Sequence, residues 1–421
     1  MEDLKTNKRP SFNNKQLQLW LNVMMFFLAF PSIYLFQNSI YFYAFIVVLL
    51  ITKKITGYFF INNTFNKIIF LLLISGLISS ILHPLLKFDP GFWKKVNMVL
   101  HFAYWFAIGA YFASWLKFLN VYLLAKWISI GFFVQVIAFY FFNIKIDMTI
   151  FKFVPGLTRN SFVFNTICFS GFLLFFLYQK IGKLGMTLGS FFVLISLIYT
   201  NGRAGGAIGF ILLFLSMSLI YPIMRYFTKI SLIFFIVIFI FTGFSSNRMY
   251  KIGNMIAPYV ENINPRFSKL LQGEGEGDLS IDKSWLLRKL MVDKSFDILS
   301  KRPIFGIGFG NFSKYGSDLS TYYQYERLQY LDGDYLNTRS AHNSYAGFAA
   351  ETGIIGFILL LLLLVPQLFW FLKVYWQGNY NIYIVISVSF IGALIHMYTI
   401  ASITGANIWL LLGVTYSLKN K

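Results

Sequence analysis

The chain has 421 residues, of which 57% are hydrophobic and 20% aromatic, and only 12% are charged. A soluble globular protein carries about 25% charged residues, so this shortfall, with a mean hydropathy of +0.64, excludes an ordinary soluble enzyme. The net charge of +20 would suggest a nucleic-acid partner in a soluble chain, but here the basic residues punctuate apolar runs, which makes them a topology signal.

The pattern predicts an all-α polytopic membrane protein. About twelve spanning helices are expected, near 18–36, 38–52, 67–85, 98–116, 119–142, 161–178, 184–200, 203–221, 229–244, 348–372, 380–399 and 402–417, since runs near 20 apolar residues match a bilayer. The N-terminus, with Glu2, Asp3 and Lys5, has no cleavable signal pattern, and the first apolar run is too long for an h-region. Cys168 is the only cysteine and falls inside a span, so no intrachain disulfide is expected.

The charges sort by side. Lys5, Lys8, Arg9, Lys15, Lys53, Lys54, Lys67, Lys117, Lys180, Lys183, Arg225, Lys229, Lys373, Lys419 and Lys421 fall on one side. The short connections of the other side hold about half as many: Lys87, Lys94, Lys95, Lys145, Lys152, Arg159 and Arg203. Both termini are therefore expected in the cytoplasm. The chain then divides into an N-terminal bundle of about nine helices over 1–244, one long and partly helical extracytoplasmic loop over 245–347, and about three C-terminal helices over 348–421.

The segment 245–342 holds thirteen basic and eleven acidic residues, so it is nearly neutral. Gly273-Glu274-Gly275-Glu276-Gly277 reads as a hinge. Residues 281–300 read as an amphipathic helix with Ile281, Trp285, Leu286, Leu290 and Met291 as its apolar stripe and Pro303 as its stop. Arg288 flanks that stripe. A Tyr-rich stretch from Tyr315 to Tyr335 follows, with Tyr322, Tyr323, Tyr325 and Tyr330.

Several residues on the outer side carry chemical potential. Arg203 opens the eighth span among Gly202, Gly205 and Gly206, and a charge at membrane depth is costly unless paired or solvated. Its planar fork suits phosphate oxygens. Arg159 in Leu157-Thr158-Arg159-Asn160 is placed similarly, and Arg302 precedes Pro303 and Gly306-Ile307-Gly308-Phe309-Gly310. That glycine run lacks the βαβ context of a dinucleotide fingerprint. His342 closes the polar segment at the lipid boundary, where an imidazole can move a proton at neutral pH. His83, His101 and His396 are embedded in apolar sequence and are expected to be packed or pore-lining. No histidine pair has metal-ligand spacing, and Asp332-Gly333-Asp334 reads as a turn. If 342–360 is one helix, His342, Tyr345, Ala346, Ala349 and Gly353 share a face suited to close packing, and Glu351 faces away.

Arg203, Arg288, the run Ser300-Lys301-Arg302-Pro303-Ile304-Phe305-Gly306-Ile307-Gly308-Phe309-Gly310-Asn311-Phe312, and Ala341-His342-Asn343-Ser344-Tyr345 through Glu351-Thr352-Gly353-Ile354-Ile355-Gly356 resemble the bacterial O-antigen ligase/polymerase superfamily over roughly 155–375. The resemblance implies an inverting, metal-independent glycosyltransferase, needing no cofactor, that acts on an undecaprenyl-pyrophosphate-linked saccharide outside the bacterial cytoplasmic membrane. It implies His342 as the catalytic residue and Arg203 and Arg288 as groups engaging the donor pyrophosphate. Arg159, Arg302, Asn343 and Tyr345 are further candidates for substrate contact. In Arg159 the pattern departs from the family, because Asn160-Ser161-Phe162 stands where a Gly is expected. The partners implied are the lipid-linked donor, a saccharide acceptor, membrane lipid, and chain-length regulator and flippase proteins, with no nucleic acid.

The residue types fit that chemistry on their own terms. Release of an anionic lipid pyrophosphate can be stabilised by arginines without a metal. An attacking hydroxyl needs one base on the opposite face, and a neutral histidine can serve. A polymerase of repeat units is the leading expectation. A ligase delivering finished polysaccharide to lipid A core or another acceptor is the nearest rival. A transporter or flippase would be expected to show mid-span ionisable residues or paired halves; the spans are almost free of carboxylates and no internal repeat is visible.

Overall fold

A computed structural model describes residues 14–31, 33–35, 38–56, 63–82, 92–141, 146–147, 151–153, 159–200, 203–230, 255, 257–259, 283–315, 341–378, 382–398 and 405–419. The expected ninth span beyond residue 230, the glycine hinge, the tyrosines from Tyr322 to Tyr335, Asp332, Asp334 and His83 lie outside the described residues.

In chain order the elements are α1 (Lys15–Ala29), β1 (Ile33–Leu35), β2 (Asn38–Ser39), α2 (Ile40–Thr56), α3 (Thr64–Leu82), α4 (Phe92–Trp115), α5 (Val121–Phe141), β3 (Ile146–Asp147), β4 (Phe151–Phe153), α6 (Arg159–Ile181), α7 (Lys183–Ile198), α8 (Arg203–Ile220), α9 (Lys283–Lys301), α10 (Ser344–Gln377), α11 (Ile384–Met397) and α12 (Ala406–Leu418). Helices thus stand at eleven of the twelve expected span positions among the described residues. Five of them, α3, α4, α5, α6 and α10, are long and apolar enough to cross a bilayer, and α7, α8, α11 and α12 are shorter apolar helices. The protein is a polytopic membrane protein. Large apolar side chains such as Phe70, Leu188 and Phe369 are exposed on its surface, as lipid-facing residues should be.

Asparagines set several helix starts, because their side-chain oxygen satisfies the orphan amides of a first turn. Asn14 accepts from the Gln16 and Leu17 amides at 2.9 and 3.2 Å, Asn63 from that of Asn66 at 2.8 Å, and Asn120 from that of Leu123 at 3.2 Å. Small residues then let the helices close. Gly109 of α4 and Gly413 of α12 meet backbone to backbone, and a Cβ on Gly171 of α6 would fall 2.7 Å from the Val385 and Ile386 carbonyls of α11. The Ser170 and Ser389 hydroxyls bond at 2.8 Å across the same contact.

The strands are an addition to the all-helical expectation. They form a small antiparallel sheet in the order β2-β1-β4-β3, with Ile33 opposite Phe153 and Leu35 opposite Phe151. The connection between α1 and α2 and the connection between α5 and α6 therefore lie at one end of the bundle, where their backbone groups satisfy each other.

The length of α10 also carries meaning. Its 34 residues would run about 51 Å as a straight helix, well beyond a hydrocarbon core of about 30 Å. Gly353 breaks it with φ 69° and ψ −172°. The expected single helix over 342–360 is therefore corrected: it starts at Ser344 and is interrupted at Gly353, so residues on either side of Gly353 do not share one face.

Candidate functional site

The break in α10 is filled by backbone from the segment after α9. The Ile307 and Gly308 amides donate to the Ala350 and Glu351 carbonyls at 3.1 and 2.8 Å. In return the Ile354 and Ile355 amides donate to the Pro303 and Ile304 carbonyls at 2.8 and 3.4 Å. This exchange satisfies groups that a continuous helix would have paired internally. Gly306, Gly308 and Gly310 all have positive φ, at 68°, 89° and 67°. The glycine run is thus a strap that turns three times in left-handed backbone, a conformation that favours glycine.

Phe309 anchors the strap. It is 1% exposed, it packs on Gly76 of α3, and its ring stacks on Phe102 of α4 with centroids 4.0 Å apart. Glu351 fixes the far side: its carboxylate accepts from the Phe312 amide at 3.1 Å, and its carbonyl also accepts from the Ser79 hydroxyl at 3.0 Å. The strap thereby ties α9, α3, α4 and α10 into one unit directly after Arg302, which is itself exposed.

His342 sits two residues before α10 and is half-buried. Its φ is 51°, and among the described residues it alone adopts positive φ without being glycine. Left-handed backbone at a residue with a Cβ is strained, and such strain concentrates where function demands a particular side-chain direction. Asn343 follows as N-cap of α10, accepting from the Tyr345 and Ala346 amides at 3.0 and 3.1 Å. Tyr345 donates its hydroxyl to the Leu394 carbonyl of α11 at 2.8 Å. The Asn343 side-chain oxygen and the Tyr345 hydroxyl thus have partners within the protein and hold the turn that carries His342.

Arg288 is half-buried on α9, and this helix lies against the same turn. Leu290, Met291 and Ile298 of α9 cluster with Ile307, Phe312, Ala341 and Ala350, with Leu287 at the edge. Leu290 and Met291 are buried as the amphipathic pattern predicts; Ile281 and the side chains of Trp285 and Leu286 lie outside the described residues. His396 lies near the end of α11. His396 is 2% exposed and its ring stacks on Phe164 of α6, with centroids 5.6 Å apart and an interplanar angle of 21°.

Arg159 and Arg203 are the first residues of α6 and α8. Nothing further of their side chains is described, but their helix starts are adjacent: a Cβ on Gly205 would lie 3.2 Å from Val163. Contacts from Gly205 to Val163, from Phe164 to His396, and from Leu394 to Tyr345 therefore link the starts of α6, α8 and α10 at one end of the bundle. His101 is exposed on α4, beside Trp105. Among the described residues no three of His, Cys, Asp and Glu gather as a ligand set.

Sequence reasoning passed over Lys294. It lies on the buried face of α9 with 0% exposure, its Nζ 5.0 Å from the centroid of the Phe312 ring. A lysine one turn beyond Leu290 was the available signal. Burial pushes its ammonium down from 10.5 to about 8. Below pH 8 the folded and unfolded chains both hold the proton, and the cost of burying it is constant. Between about 8 and 10.5 the unfolded chain binds a proton that the folded chain lacks, so stability rises with pH. Thermal melts of the wild type and Lys294→Met from pH 7.5 to 10 should show the wild type gaining on the variant; a constant gap would mean that Lys294 titrates normally.

Comparison with known proteins finds one assignment for this region. Residues 188–361 match the model of the O-antigen ligase family. The matched span runs from α7 to the part of α10 beyond the break and includes Arg203, Arg288, Arg302, His342, Asn343, Tyr345, Glu351 and Gly353, while Arg159 and His396 fall outside it. No curated protein matches the chain.

Proposed function

We propose that this chain is an inverting, metal-independent glycosyltransferase that joins undecaprenyl-pyrophosphate-linked repeat units into a surface polysaccharide (capsule, exopolysaccharide or O-antigen). It works at the outer face of the bacterial cytoplasmic membrane, with twelve spans, cytoplasmic termini and the 245–347 loop outside, between the bundle of 1–244 and the helices of 348–421. The observation that carries this reading is the junction of the helix starts that bear Arg159, Arg203 and the His342 turn, with α9, the helix of Arg288, packed beside it. Helix N-termini favour anions, and arginine forks add bidentate hydrogen bonds to phosphate oxygens. Such a surface suits a leaving pyrophosphate.

His342 is then the base. As an acceptor hydroxyl attacks the anomeric carbon, the imidazole takes its proton, and the bond to the pyrophosphate oxygen breaks with its electron pair remaining on the phosphate. Inversion needs no nucleophilic carboxylate. Glu351, the nearest carboxylate along α10, is engaged with the Phe312 amide. Arg203 and Arg288 hold the departing pyrophosphate, with Arg159 and Arg302 as further donors toward substrate. Asn343 and Tyr345 line the acceptor side of the His342 turn. Chain-length regulator and flippase proteins are its functional partners.

A ligase reading has the family description on its side, since the matched model is that of O-antigen ligases. The chemistry at the donor is the same and the acceptor differs. Product analysis of a deletion strain separates the two: single repeat units at the surface mean a polymerase, and accumulated lipid-linked polymer means a ligase. Neither product would overturn the glycosyltransferase reading altogether.

A further inference from the structure

We propose that the end of the bundle opposite His342 is a headgroup site for an anionic phospholipid, built where residues 222–230 meet the end of α10. Residues 222–230 form a short helical segment directly after α8. The Lys229 ammonium folds onto Trp376 of α10, donating to its carbonyl at 2.8 Å with Nζ 5.0 Å from the ring centroid. Arg225 lies one turn earlier. Its Nε donates to the Ser218 carbonyl at 3.4 Å, and a Cβ on Gly378, the left-handed C-cap of α10, would fall 2.7 Å from its guanidinium. The Tyr375 hydroxyl donates to the Ser218 hydroxyl at 2.6 Å, and the Thr187 and Tyr221 hydroxyls bond at 3.3 Å. These bonds gather the ends of α8 and α10 and the start of α7. Exposed Lys373 of α10, and exposed Lys180 and Lys183 beside the α6–α7 turn, stand at the same end.

Charge decides the occupant. The sequence has no Asp or Glu between Asp147 and Glu261, and none after Glu351. The elements that form this end therefore supply cations and no carboxylate, which favours an anion from outside the chain. Ile223, Tyr226, Phe227, Ile230 and Trp376 are all exposed around them. Such side chains belong in hydrocarbon or at its boundary, which sets the cations at headgroup depth and disfavours a water-soluble acidic partner. A sidedness signal needs only charge near a span end. It does not need Lys229 folded back on a carbonyl and an indole, an arrangement that uses one of the three ammonium donors and holds the charge in place. Basic sites of this kind between membrane helices suit the phosphate of a lipid headgroup. The chemistry of this end is independent of the reaction at the other.

The test titrates the purified full-length protein in neutral detergent with phosphatidylglycerol, and follows binding by native mass spectrometry and thermal melting. Phosphatidylglycerol should bind and raise the melting temperature, since a ligand of the folded state stabilises it, and phosphatidylcholine should do neither. Each cation removed should weaken binding about fivefold, the effect of one basic residue near an anionic surface. Lys229→Gln and Lys373→Gln should each show that loss, and the two together about 25-fold. Lys373 is exposed, so its variant keeps the test valid even if Lys229→Gln loosens the end of α10. Lys54→Gln removes an exposed cation from α2, which packs on α1 and α4, and should bind like the wild type. Equal weakening by Lys54→Gln would mean diffuse attraction and overturn the site. Unchanged binding in the double variant, or equal stabilisation by phosphatidylcholine, would overturn it too. If soluble glycerol phosphate raises the melting temperature as far as the lipid does, the anion is not a lipid and the proposal fails.

Discussion

Replacing His342 with alanine is expected to reduce glycan extension by about 10²–10⁴-fold, the usual contribution of a positioned general base, with the protein still present in the membrane. The backbone makes a second substitution more telling. At φ 51° His342 occupies a conformation that glycine adopts freely. His342→Gly should therefore melt no lower than the wild type, while being as inactive as His342→Ala. A residue retained at the expense of backbone strain, where glycine would be easier, is one whose side chain is needed. The checks are the polymer ladder on a gel and the melting temperature in detergent. A normal ladder in either variant would remove His342 from the mechanism. A melting temperature well below wild type in the glycine variant would mean that the imidazole serves stability instead.

The second large effect is expected at Gly353. An alanine there must adopt φ 69° with ψ −172°, a region that is essentially glycine's alone, and its Cβ would fall 2.5 Å from the Phe305 nitrogen. Overlap with backbone cannot be relieved by a rotamer change, so Gly353→Ala should cost about 3–5 kcal/mol and undock the strap. Undocking would free Phe309 from Phe102 and leave the Ile354 and Ile355 amides without their strap carbonyls. Activity should fall together with stability, because the same strap joins the helix of Arg288 to the turn of His342. Gly206→Ala is the control: the nearest atom to its added Cβ is 4.0 Å away, and alanine favours a helix. If the two variants melt alike, the strap does not hold the break in α10.

How far the sequence reached can be judged at individual residues. The helices near 161–178, 184–200 and 203–221 appear where apolar runs of bilayer length placed them, since hydropathy alone dictates burial in lipid. Leu290 and Met291 are buried on the amphipathic helix whose pattern announced them. The glycine run 306–310 was visible as a turn-rich segment, but its partner was not. No local pattern states that Gly308 will meet Glu351, 43 positions further on, or that Phe309 will rest on Gly76, far earlier in the chain. From sequence Gly353 looks like a small residue for helix packing, because a helical wheel assumes an unbroken helix. The burial of Lys294 has no sequence signature, because an isolated lysine on an amphipathic helix ordinarily reaches water.

Composition and charge order by themselves determined a polytopic helical protein, and the apolar runs and basic residues set its expected spans and sidedness. Residue chemistry singled out His342 and the arginines, and residues 188–361 carry the O-antigen ligase match. Only the tertiary structure decided which of these elements meet. It drew the starts of α6, α8 and α10 to one end, packed the helix that carries Arg288 against Ala341 beside that end, and put His342 into left-handed backbone. It also packed His396 against Phe164 of α6. The reason is physical: periodicity and hydropathy are local and fix each helix against the bilayer, whereas the strap, the caps and the Tyr345–Leu394 bond join residues distant in sequence.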